Sequence, residues 1–119
     1  MYHDAFAPWE RKGAVRRPIV PSDCRHNAHL YYLLFADLAH RSAVQSLLRR
    51  AGIDAVFHYV PLHSSPAGLK FGRAVGALPV TERTAARLLR LPVWAGMTEG
   101  DVDFVTATVS QGLVETYAG

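Results

Sequence analysis

A chain of 119 residues, half of them hydrophobic, has the length of one domain and enough apolar material for a core. The single cysteine, Cys24, excludes an intrachain disulfide, no Cys/His group shows zinc spacing, and no apolar run nears the ~20 residues of a membrane span. A net charge of +3, mostly arginine, leaves an anionic partner chemically open, but without a basic stripe or recognition motif it argues against nucleic-acid binding.

Taken in chain order, Met1–Lys12 reads as a short amphipathic helical piece, interrupted by Pro8 and ended at Gly13. It carries no basic and apolar leader, and together with the lone cysteine this points to the cytoplasm. Without a strand or cap before it, the piece reads as the tail of a longer helix. Ala14–Asn27 holds Pro18, Pro21, Ser22 and Asp23 and reads as a linker or extended connection. Residues 28–119 then form the domain proper.

Ala28–Ala36 is the first expected strand, and its two apolar faces place it centrally in a sheet. Asp37–Arg41 reads as a turn. A helix over Ser42–Ala51 follows, with Val44, Leu47, Leu48 and Ala51 on one face and Gly52 in the left-handed position past its end. Ile53–Tyr59 reads as a second strand. From Val60 to Val80, prolines and glycines break any periodicity, and a loop of this length in a small domain is typically a lid or binding segment. Thr81-Glu82 is expected to cap a helix bearing Ala85, Leu88 and Leu89, stopped by Pro92. Leu91–Ala95 reads as a third strand. Thr98 and Asp101 have the spacing of a capping box, opening a final helix with Val102, Val105, Val109 and Leu113 on one face. Two arginine groups, Arg41 with Arg49 and Arg50, and Arg83 with Arg87 and Arg90, read as solvated helix faces. The order predicts an α/β fold, one small sheet covered by helices.

A glycine-rich phosphate loop, a nucleophile elbow and paired carboxylates at catalytic spacing are all missing, so no residue is assigned a catalytic or metal-binding role. The richest segment is His58-Tyr59-Val60-Pro61-Leu62-His63-Ser64-Ser65-Pro66-Ala67-Gly68. It sets two imidazoles, a phenol and two hydroxyls on a proline-restricted backbone, neutral groups suited to orienting a sugar or a cofactor ring. Tyr59, His58 and His63 are the candidate ligand contacts. The competing structural role has Tyr59 packed in the core and the histidines closing the loop.

Three stretches, Asn27–Tyr32, Ala55–Gly68 and Arg87–Pro92, resemble in order the DegT-type nucleotide-sugar aminotransferases. The likeness runs from about Tyr2 to Leu113 and is strongest to the subgroup of TDP-4-oxo-6-deoxy-D-glucose transaminases. It implies the C-terminal small domain of a fold-type I transferase dependent on pyridoxal phosphate, dimeric, with residues 1–13 as the tail of a large-domain helix. Such enzymes move an amino group from glutamate to a 4-keto-6-deoxy nucleotide sugar, in biosynthesis of cell-surface polysaccharides. In the resemblance the cofactor's lysine belongs to a large domain ahead of Met1, and neither Lys12 nor Lys70 takes its place. The fragment is therefore expected to be inactive alone and not to bind pyridoxal phosphate alone, with Tyr59, His58 and His63 as walls near cofactor and sugar. The alternative is a non-catalytic module that pairs with a separate large-domain chain or binds nucleotide sugar.

Overall fold

The sheet forms around the most apolar stretch of the chain. The computed structural model describes residues 1–117. Helices α1 (Tyr2–Ala5) and α2 (Ala7–Arg11) lead into strand β1 (Val15–Arg16). Strand β2 (Tyr31–Phe35) and helix α3 (Leu38–Arg50) follow, then a 3-10 turn (Leu62–Ser64), α4 (Pro66–Phe71), α5 (Pro79–Arg87), β3 (Leu88–Leu91) and α6 (Glu99–Tyr117). Strand order is β1-β2-β3, antiparallel throughout, with Val15 opposite Phe35 and Leu33 opposite Leu89. The small sheet with covering helices is the α/β arrangement expected, and β2 is its centre.

Alternation along β2 separates two faces. Leu33 and Phe35 enter the main core with Val15, Leu89 and Leu91, beneath Val44 and Leu48 of α3 and Val105, Val109 and Leu113 of α6. Leu34 is buried on the other face, paired with Leu88. Each such side chain removed from water is worth about 1.5–3 kcal/mol. Helices α3 and α6 cross at Gly112, where an added Cβ would sit 3.0 Å from Val44 Cγ2. Tyr2 and Phe6 belong to the same core. The N-terminal segment is further tied down by Tyr2 Oη donating to Pro92 O (3.1 Å) and Trp9 Nε1 donating to Ser110 Oγ (3.1 Å).

Several boundaries differ from the sequence reading. The expected strand over Ala28–Ala36 shortens to Tyr31–Phe35, because Ala28 takes a left-handed conformation, φ 54°, that no strand accepts. Helix α3 begins at Leu38 rather than Ser42, because the Asp37 carboxylate accepts the His40 N–H (2.9 Å) and caps it. Ala51 follows this helix as an exposed residue, while Gly52 takes the left-handed conformation expected of it, φ 77°. Ile53–Tyr59 forms no strand. Both edges of β2 are taken by β1 and β3, so this segment meets only the outer edge of β3, in a single bridge of Val56 with Arg90.

The third strand lies at Leu88–Leu91 instead of Leu91–Ala95, since Pro92 has no N–H to extend the ladder. Helix α5 consequently ends at Arg87, and it starts at Pro79 rather than at a Thr81 cap. Leu88 and Leu89, expected on that helix, are strand residues. The arginines are also less idle than expected. Arg41 Nε donates to Ala86 O (3.1 Å), Arg87 Nε donates to Phe35 O, and Arg90 sits on β3.

The capping box at the start of α6 forms as read: Asp101 N donates to Thr98 Oγ1 (3.2 Å) and Thr98 N donates to Asp101 Oδ2 (2.8 Å). The Thr98 hydroxyl, donating to Asp101 Oδ2 (2.6 Å), and then the Thr98 N–H hold the Asp101 carboxyl below the usual range. The Asp37 carboxyl is lowered by the His40 N–H, and that of Glu10 by hydrogen bonds from Arg17. A carboxyl lowered by folding binds fewer protons in the native state than in the unfolded chain. Its stabilisation is complete above the ordinary carboxylate range, about pH 4, and is lost as pH falls through the lowered value. The urea midpoint is expected to decline steadily from about pH 5 to pH 2. Asp37→Asn with Asp101→Asn, which keeps acceptors at both caps, should flatten that decline; an unchanged acid limb would assign it to other groups.

Candidate functional site

The chain leaves the sheet at Val56, where Arg90 N donates to Val56 O (2.8 Å) and Val56 N to Arg90 O (3.3 Å). This bridge fixes the origin of the His58–Pro61 segment. Pro61 starts the 3-10 turn by accepting from Ser64 N (3.1 Å). Ser65 then works in two directions. Its Oγ accepts from Gly68 N (3.0 Å) as the N-cap of α4, and its hydroxyl donates to Leu62 O (2.9 Å). Pro66 follows at the first helical position, where its missing N–H costs nothing. The stretch expected as one loop is therefore a turn, a helix of one and a half turns, and a short connection into α5.

A cavity of about 450 Å³ opens between this segment and α5, lined among others by His58, Tyr59, Pro61, Thr81, Thr84 and Leu88. Tyr59 is 67% exposed, so it does not pack in the core. Its ring is held from two sides, edge-on by His58 at 4.8 Å between centroids and by the Arg90 guanidinium at 5.5 Å from its centroid. The phenol thus points from a braced ring rather than from a free one. His63 does not line the cavity. Its Nε2 lies 2.7 Å from Glu82 Oε1 and ties the turn to α5, the element that forms the opposite wall.

Of the three residues singled out from sequence, His58 and Tyr59 share the cavity and His63 braces it. Sequence reading missed Arg90, Glu82 and the hydroxyls of Thr81 and Thr84. Only the last two carried a signal, as polar residues on the first turns of a helix facing a ligand-rich segment.

Neither lysine is placed to hold an aldehyde cofactor. Lys12 is exposed at the end of α2, its Nζ 4.9 Å from the Trp9 ring centroid, and Lys70 is exposed on α4, 5.0 Å from that of Phe71. Neither lines the cavity beside Tyr59. The described residues by themselves do not fit pyridoxal phosphate. Among them no helix is long and apolar enough to cross a membrane.

The fold is thus a small antiparallel sheet backed by helices, with a largely apolar cavity carrying a few polar groups at its edge. Residues 1–110 match the DegT/DnrJ/EryC1/StrS aminotransferase family, and the chain belongs to it. It is 31% identical over 97 residues to the spore coat polysaccharide biosynthesis protein SpsC of Bacillus subtilis, covering 77% of this chain and 25% of that protein. To a pleiotropic regulatory protein of Geobacillus stearothermophilus it is 24% identical over 94 residues, 78% of this chain and 25% of the relative. Among solved structures it is similar to the aminotransferase TlmJ from Streptoalloteichus hindustanus, with a TM-score of 0.80 and 26% identity over 96% of this chain and 30% of that one. DesV of S. venezuelae gives a TM-score of 0.79 and 27% identity over 94% and 29%. The chain spans between a quarter and a third of the length of these proteins.

Proposed function

We propose that this chain is the C-terminal lobe of a sugar aminotransferase that aminates a 4-keto-6-deoxy nucleotide sugar with glutamate as donor. Pyridoxal phosphate and its lysine belong, in this reading, to a larger lobe carried on the same or a second polypeptide. The observation that carries it is the family match over residues 1–110, joined to a cavity whose polar groups are neutral hydrogen-bonding ones. His58 and Tyr59 serve as a wall that orients the sugar hydroxyls, and His63 keeps that wall in register with α5. They bind and position; the lobe contributes no amine to the chemistry. Alone, the chain is then inactive.

The test is a graft. Residues 1–117 replace the matching stretch of a full-length family member, and transamination of a 4-keto-6-deoxy nucleotide sugar is measured. Activity is expected to return, and Tyr59→Phe to lower kcat/KM on the order of tenfold, the worth of one oriented hydrogen bond. The isolated chain, reduced with borohydride in the presence of pyridoxal phosphate, should carry no label on Lys12 or Lys70. Stoichiometric labelling of either lysine, or turnover by the chain alone, overturns the proposal. Tight binding of nucleotide sugar without the larger lobe would favour a stand-alone binding module.

A further inference from the structure

A second cavity, of about 480 Å³, lies between the Ile53-Asp54 connection, the turn after β3 and the first turns of α6. It shares no lining residue with the cavity beside Tyr59. Its walls combine aromatic, aliphatic and acidic side chains: Trp94 and Phe104, Val93 and Ile53, Asp54 and Asp101. Trp94 is 51% exposed and Phe104 55%, large apolar surfaces left in water at the rim of a concavity. The turn that presents Trp94 is built, with Met97 N donating to Trp94 O (3.3 Å) and Gly96 at φ 88°.

The acids add the chemical direction. Both side-chain-directed bonds from Thr98, through its N and Oγ1, land on Asp101 Oδ2 at 2.8 and 2.6 Å, and Oδ1 receives neither. Capping accounts for Asp101, but not for Asp54, nor for the aromatic side chains beside it. Among the described residues neither carboxylate is paired with a basic side chain, in a protein with an excess of arginine and a net charge of +3. An unneutralised acidic concavity attracts positive groups locally, even on a protein whose net charge is positive. An indole beside carboxylates favours a planar cation that stacks and forks at once, which a guanidinium does and an ammonium does not.

We infer that this cavity is a docking site for an arginine side chain presented by a partner polypeptide, seated on Trp94 and Phe104 with Asp54 and Asp101 as its counter-ions. The test uses the full chain and follows the Trp94 indole N–H by NMR, which separates it from Trp9. The peptide acetyl-Gly-Arg-Gly-amide is expected to shift that resonance in a saturable, salt-sensitive way, and the lysine analogue to bind more weakly. Trp94→Ala and Asp54→Asn should each weaken binding roughly three- to tenfold. Both positions are exposed, and Asp54→Asn keeps the test open should Trp94→Ala disturb the fold. The inference fails if the arginine peptide leaves the indole unmoved. It fails equally if acetyl-Gly-Glu-Gly-amide or methyl glucoside moves it as much, or if Asp54→Asn binds like the parent chain.

Discussion

Phe6→Ala is expected to lower the stability of this chain by about 3–5 kcal/mol, the usual cost of emptying a fully enclosed aromatic site. Phe6 stands between α1 and α2 with no exposed surface. Its ring stacks with that of Tyr2 at 6.2 Å and that of Tyr31 at 6.4 Å, so the vacated volume borders both the N-terminal segment and the central strand. A domain of this size has a total stability of about 5–15 kcal/mol, and the loss therefore consumes much of it. The urea midpoint should fall accordingly with an unchanged slope. Ile19→Ala, at a side chain 68% exposed, serves as the contrast and should shift the midpoint hardly at all. If Phe6→Ala instead costs less than about 1 kcal/mol, the N-terminal helices are an appendage whose burial contributes little to folding.

That prediction also marks what could be read from the residues and what could not. The core positions of α6 follow helical spacing, and its capping box is a local chemical pattern, so both were legible. The centrality of β2 was legible for the same reason: Leu33, Leu34 and Phe35 leave no polar face. The pairing of β1 was not, because two residues among prolines have no period, and only the ladder to Leu34 and Phe35 defines them as a strand. Helix α4 was hidden because none of its residues is buried, which removes the apolar stripe that betrays a helix. Its one sequence signal is Ser65-Pro66, a cap followed by a proline at the first helical position. In the candidate site, Tyr59 and His58 could be named as chemistry on a loop, whereas Arg90 becomes their brace only because a strand displaced from its expected place carries it beneath the ring.

Gly68→Ala should have the opposite signature to the loss of Phe6, leaving the fold nearly as stable while displacing the site. An added Cβ at Gly68 would lie 1.5 Å from Leu62 O and 2.7 Å from its carbonyl carbon. These are backbone atoms, so no rotamer change relieves the overlap, and α4 must part from the 3-10 turn. The Ser65 cap on Gly68 N and the bond from Leu69 N to Ser65 O (2.9 Å) are then lost or rebuilt elsewhere. Because neither the turn nor α4 contributes a buried side chain, the urea midpoint should change by only about 0.5 kcal/mol in equivalent stability. Hydrogen exchange separates this from a silent substitution: the amides of Leu69 and Gly72 are expected to lose protection while those of β2 keep theirs. In the grafted enzyme, displacement of the segment carrying His58, Tyr59 and His63 by an ångström or more should reduce turnover on the order of a hundredfold. Retained amide protection would show that the turn accommodates a methyl group. Lost protection with full turnover would detach this segment from substrate, because a wall that can move without consequence does not position anything.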